Sequence, residues 1–187
     1  GLQISCHTLD VTDLGQVRLV RDAVIDEFAR LDVLVNNAGV SIDPPDSTIL
    51  DVPVETIERT LDVNCYGALG MIRAFVPLMV AQDYGRIVNV SSLGGVLSMM
   101  FTMRGAMAAY RLSKAALNAV TRLTAGAVKD YNIRVNAVCP GPIRTRMGSS
   151  RARCTPAQEA ETIVWLATLP RSGPNGKLFR DRKRVDG

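Results

Sequence analysis

The sequence predicts an α/β domain built around a parallel sheet. Short apolar runs alternate with long stretches of helical periodicity along the chain, which is the pattern of βαβ units. The runs are of the buried type, as in Ile87-Val88-Asn89-Val90, and they end at polar turns. With 187 residues, 47% hydrophobic and 21% charged, the chain suits one globular domain over 1–187.

Each element follows from local signals. Residues 3–7 read as a short strand, followed by Asp10-Val11 and a helix over about 13–29. A strand is expected at 32–35, and it runs into Asn36-Asn37-Ala38-Gly39. Residues 50–52 lead through Pro53, a residue suited to a first helical turn, into a helix over about 54–81. A strand at 86–90 runs into Ser91-Ser92 and Gly94-Gly95, and a helix over 106–129 follows. The next strand, 134–138, is ended by Pro140-Gly141-Pro142. Thr155-Pro156-Ala157-Gln158 reads as a capping box opening a helix to about 169, and 176–180 is the last strand.

Composition narrows the function classes. Four cysteines, Cys6, Cys65, Cys139 and Cys154, are dispersed and form no Cys-x-x-Cys, and His7 is the only histidine, so no metal site is expected. Reduced cysteines suit a cytoplasmic protein. No run of 18 apolar residues and no basic-then-apolar leader is present, so neither a membrane span nor a signal peptide is expected. The net charge is +4, with Arg180, Arg182, Lys183 and Arg184 close together. Asp181 and Asp186 interrupt them, which favours a solvated face over a nucleic-acid surface.

Tyr110 and Lys114 carry the most chemistry. Four residues apart in a helical stretch, they share one face. An ammonium beside a phenol favours the phenolate, so the tyrosine pKa is expected to fall from about 10 towards neutrality. Such a pair trades a proton near neutral pH.

Five elements in this order resemble the short-chain dehydrogenase/reductase family. They are Leu31 through Gly39, Asp62-Val63-Asn64, Gly85 through Ser92 with Gly94-Gly95, the Tyr110/Lys114 helix, and Ile133 through Thr145. The resemblance runs from about Asp10 to the C-terminus. It implies a doubly wound, Rossmann-like parallel sheet in three layers. This chain departs from the family at its start: no Gly-x-x-x-Gly-x-Gly or Gly-x-Gly-x-x-Gly occurs in it. Residues 3–7 match the family's third strand, so the first two strands and the glycine-rich turn are absent. In the family those strands lie between the third and fourth, and their removal leaves a gap of about 9 to 10 Å. Residues 1–30 are therefore expected to be displaced or packed differently, and the chain reads as N-terminally truncated.

The resemblance implies an oxidoreductase that moves a hydride between NADP (or NAD) and a carbonyl or alcohol. Tyr110 would be the proton donor, Ser92 the group holding the substrate oxygen, and Lys114 the ribose ligand. Asn64 would interrupt its helix and hold a water on the way to Lys114. Asp10 and Val11 would meet the adenine, while Asn36, Ala38 and Gly39 pass its ribose. Pro140, Gly141, Ile143 and Thr145 would meet the nicotinamide carboxamide. Ser92 is preferred to Ser91 because it immediately precedes Leu93-Gly94-Gly95, and Ser98 is its rival.

Residues 97–103 with Met107 form an adaptable apolar wall for substrate, or else core packing. Arg144, Arg146, Arg151 and Arg153 would favour an anionic substrate, with solvated arginines as the default. Residues 155–187 are most similar to carbonyl reductases within the family, which implies reduction of aldehydes or ketones. The long insertion of animal carbonyl reductases is missing between Ser92 and Tyr110, which reopens homo-oligomer contacts through helices 54–81 and 106–129. The alternative is a non-catalytic truncated isoform or pseudoenzyme acting as a binding partner.

Overall fold

The computed structural model describes residues 4–101, 107–141 and 155–186. Helix α1 (Leu14–Phe28) opens at Asp13, whose carboxylate accepts from the amides of Gly15 and Gln16, and closes at Ala29 in the left-handed region. Strand β1 (Val33–Asn36) follows. A long helical stretch then runs as α2 (Val54–Leu61), a π segment (Asp62–Gly67) and α3 (Ala68–Ala81). After β2 (Gly85–Val90) come a 3-10 turn (Leu93–Gly95) and the short helix α4 (Leu97–Met100). Helix α5 (Ala108–Ala127), β3 (Ile133–Val138), α6 (Pro156–Ala167), β4 (Leu178–Arg180) and β5 (Lys183–Val185) complete the order.

The five strands form one sheet in sequence order, the first four parallel and β5 antiparallel to β4. Side chains on the sheet alternate between two cores. Leu34, Ile87, Ile133 and Val135 pack with Ile72, Phe75 and Met79 of α3, while Val88, Val138 and Phe179 pack with Leu166 and Leu169. β2 is thus covered on both faces, which is why its sequence reads as an unbroken apolar run. Parallel pairing also brings the carboxyl ends of β1, β2 and β3 to one edge of the sheet. The turns after them, Asn36–Gly39, Ser91–Ser92 and Cys139–Gly141, therefore lie side by side, where open α/β sheets bind ligands.

Arg86, near the amino end of β2, is 2% exposed. Its guanidinium donates to the carbonyls of Leu169, Gly85 and Asn132, so a buried cation is matched by backbone acceptors. Residues 54–81 are long and apolar enough to cross a membrane. Ile72, Phe75 and Met79 are instead buried against the sheet, as in a core helix.

The expected strand at 3–7 does not form: residues 4–7 are irregular, and Gln3 lies outside the described residues. Among the described residues, β1 has β2 on one side and no strand on the other. An extended segment without a ladder neighbour gains nothing from a strand conformation. Residues 14–28 are not loose, because α1 lies against α3 and buries Val17. Val35, on the sheet face away from α3, is 40% exposed. The basic cluster near the end forms a β4–β5 hairpin whose turn residues, Asp181 and Arg182, both have positive φ (51° and 58°). Arg180 and Arg184 pair with Asp181 and Asp186 of the hairpin, and Arg182 with Glu161 of α6, in keeping with a solvated face.

Candidate active site

Tyr110 and Lys114 lie one turn apart on α5 and face the carboxyl ends of the strands. Lys114 is 4% exposed, and its Nζ donates to the Val90 carbonyl at 2.8 Å. The same ammonium sits over the Tyr110 ring, 5.6 Å from its centroid. Among the described residues no carboxylate pairs with Lys114. Burial brings its pKa down from 10.5 to about 8, with Cys139 and Cys65 opposing the fall.

Ser92 is the serine that meets Tyr110. Its hydroxyl accepts from the Gly94 amide (3.0 Å) and hydrogen-bonds with the phenol. Ser91 is turned inward, where its hydroxyl donates to Asn118 Oδ1 at 2.6 Å. Ser98 is exposed on α4. The turn after Ser92 is clamped from both sides. The Leu93 amide donates to Cys139 Sγ (3.2 Å), and Gly95 lies so close to α5 that an added Cβ would sit 2.5 Å from the Lys114 carbonyl carbon.

The expected sign of the tyrosine shift is reversed. Burial raises the Tyr110 phenol above its ordinary value, the bond with Ser92 opposes this, and Cys139 adds to the rise. Desolvation disfavours the phenolate more than its hydrogen bond stabilises it. At neutral pH the pair is therefore a neutral phenol beside an ammonium, the form that gives a proton away.

Asn64 lies in the π segment, so the helix is interrupted where the sequence placed that residue. Its side chain accepts from the Val40 amide (2.7 Å) and donates to the Val40 carbonyl (2.8 Å) and to Ser113 Oγ (2.9 Å). The amide thus staples the loop after β1 to α5, and a water would have to use the backbone of this segment. Gly39 allows the approach: a Cβ there would lie 3.2 Å from Asn64 Oδ1 and 3.6 Å from Lys114 Nζ.

A family profile described as Enoyl-(Acyl carrier protein) reductase matches residues 2–172. Carbonyl reductase (NADPH) 1 of Homo sapiens is 32% identical over an alignment covering 100% of this chain and 80% of the relative. The 3-oxoacyl-(acyl-carrier-protein) reductase FabG of Thermotoga maritima is 33% identical, covering 95% of this chain and 75% of its own. The chain belongs to the short-chain dehydrogenase/reductase family. Among solved structures of the family, the NADPH-bound carbonyl reductase from chicken fatty liver superposes with a TM-score of 0.81 at 25% identity, covering 92% of this chain and 72% of that one. ElxO with NADP bound gives 0.83 at 26% identity, covering 94% and 75%.

The remaining positions expected from the family fall unevenly. Asn36 is buried, and its Nδ2 donates to Asn89 Oδ1, while Asn89 donates to Thr121 Oγ1, both at 2.8 Å. Its side chain is thus a sheet-to-helix bridge, leaving only its backbone to a ligand. Ala38 is exposed and Gly39 half-buried beside Lys114. Asp10 is exposed and holds the Thr12 amide and hydroxyl, which lowers its pKa. Val11 packs on the π segment, where an added Cβ at Gly67 would lie 2.6 Å from its methyl. Pro140 is half-buried, and Gly141 has φ +75°, a conformation glycine tolerates. Ile143, Thr145, Arg144, Arg146, Arg151 and Arg153 lie outside the described residues. So do Thr102 and Met103, and Leu97 and Phe101 are exposed at 72% and 99%.

Proposed function

We propose that this chain reduces aldehydes or ketones with NADPH, using Tyr110, Ser92 and Lys114 as its reacting constellation. The observation that carries the proposal is Lys114: a buried ammonium that, among the described residues, has one backbone partner and no carboxylate, over the ring of a half-buried phenol that bonds to a serine. An unpaired buried cation is costly and marks functional sites. NADP is the cofactor supported by the relatives, several of which are named as NADPH enzymes or hold the nucleotide.

The residues fit the nicotinamide–ribose half. Lys114 spends one of three donors on Val90, and Gly39 leaves space beside it. The glycine-rich turn that would hold a pyrophosphate is not among the residues of this chain. When bound, the nicotinamide supplies the hydride, and the protein supplies position and proton. Ser92 holds the substrate oxygen, and Tyr110 gives its phenolic proton to that oxygen as negative charge develops there. Lys114 keeps a positive charge beside the departing proton below about pH 8. Asn64 and Ser113 keep the loop after β1 in register with the helix that carries Tyr110.

No described feature favours the non-catalytic alternative. Leu112 and Leu123 on α5 and Tyr66 before α3 are exposed, which supports a homo-oligomer through these helices. NADPH, then NADH, titrated into the 187-residue chain and followed by energy transfer from Trp165, tests the reading. Saturable NADPH binding with aldehyde or ketone turnover is expected. Tyr110→Phe should abolish turnover and leave NADPH affinity within about twofold, since the phenol acts in the proton step alone. A folded chain that binds neither nucleotide, or retained turnover in Tyr110→Phe, refutes it.

A further inference from the structure

We propose that Asp43, on the loop after β1, is a positioning residue for Tyr110, gripping the catalytic helix by the backbone amide of the acid itself. The inference rests on the reading of Tyr110 as proton donor. The first amides of a helix have no partner within it and need an acceptor from outside. α5 brings none of its own: Met107, at its N-cap, has φ 79° and ψ 36° and makes no side-chain cap. Asp43 supplies both acceptors. Its Oδ1 accepts from the Ala109 amide at 2.7 Å and its Oδ2 from the Tyr110 amide at 3.2 Å, across 66 and 67 residues of chain.

Two oxygens on two successive amides fix the rotation of the first turn as well as its height, and the carboxylate suits the positive end of the helix. The loop bearing Asp43 is itself anchored at Val40 by the Asn64 side chain. Asn64 also donates to Ser113 Oγ, which donates to the Tyr110 carbonyl at 2.7 Å. Tyr110 is thus tied to one loop by its amide and by its carbonyl, and that loop continues from the Asn36–Gly39 turn beside Lys114.

The test compares the full chain with Asp43→Ala and with Asp43→Asn, which keeps one acceptor oxygen. Three quantities are read: hydrogen exchange at the Ala109 and Tyr110 amides, titration of the Tyr110 phenol by NMR, and NADPH-dependent reduction of benzaldehyde. In Asp43→Ala, exchange at both amides should quicken at least about tenfold while Leu117 in mid-helix is unchanged. kcat should fall about tenfold, with KM and NADPH affinity within about twofold, and Asp43→Asn should lie between. Full kcat in folded Asp43→Ala overturns the proposal, as does a loss that only follows the unfolded fraction. If the unaltered chain neither binds NADPH nor reduces the aldehyde, the functional reading fails and the phenol decides this one. A Tyr110 titration that returns towards the ordinary tyrosine range in Asp43→Ala supports positioning, and an unmoved phenol overturns it.

Discussion

Gly95→Ala offers the sharpest test of how the site is held. An ideal Cβ at Gly95 would lie 2.5 Å from the Lys114 carbonyl carbon, 2.7 Å from its oxygen and 2.8 Å from the Ala115 nitrogen. Carbon atoms in contact rest at about 3.5 to 4 Å, so the 3-10 turn must retreat by roughly 1 Å. The opposing atoms are backbone within a 20-residue helix and cannot rotate away. Retreat strains the bond from Asn118 Nδ2 to the Gly95 carbonyl (3.1 Å) and the Leu93 amide bond to Cys139 (3.2 Å). Overpacking of this kind costs about 1 to 3 kcal/mol, and a weakened hydrogen bond adds about 1 kcal/mol. Ser92 moves with the turn, and a 1 Å misplacement in a reacting constellation lowers the rate about 100-fold. Urea unfolding followed by circular dichroism, with NADPH-dependent turnover, measures both effects. An unchanged midpoint with unchanged turnover would show that the turn does not bear on α5, and the reasoning would fall.

Gly126→Ala should do the opposite. Nothing lies within 4 Å of a Cβ there, so the variant should gain about 0.5 to 1 kcal/mol, read as a higher urea midpoint. Lys114 predicts a pH dependence of stability. Its folded pKa of about 8 is below its ordinary 10.5, so between these values the unfolded chain binds more protons and stability rises with pH. The full contribution is about 3 kcal/mol, most of it gained by pH 10. Unfolding curves of the unaltered chain and Lys114→Met should therefore diverge across that window, and parallel curves would count against the burial argument. Arg86→Met should destabilise the fold by about 3 kcal/mol, because the carbonyls of Leu169, Gly85 and Asn132 lose a buried donor that methionine does not replace. A melting temperature equal to that of the unaltered chain would contradict it.

Much of the molecule is legible in its sequence. Apolar runs and helical periods mark β1, β2, β3 and β4, α1, α5 and α6, and the helical stretch over 54–81, because neighbours in sequence set the local ladder and the buried stripe; the short α4 carries no such period. Tyr110 and Lys114 share a face because four residues make about one helical turn. The interruption at Asn64 was expected from the family pattern, and the π segment lies there.

Other features depend on partners far away in the chain. The strand expected at 3–7 has suitable residues but no neighbouring ladder, and pairing is a property of two segments. Asn36 turns inward because Asn89 and Thr121 wait on β2 and α5. Asp43 has no local mark that links it to Tyr110, and only the packing of the loop on α5 reveals the cap. Sequence spacing suggested a lowered Tyr110 pKa because it registers the ammonium four residues on. Desolvation is summed over everything that excludes water from the phenol, wherever in the chain it lies, and so tertiary packing sets the sign. Local order and the choice of chemical groups were thus written in neighbouring residues. The protonation, contacts and restraint of those groups came from segments that meet only in the folded chain.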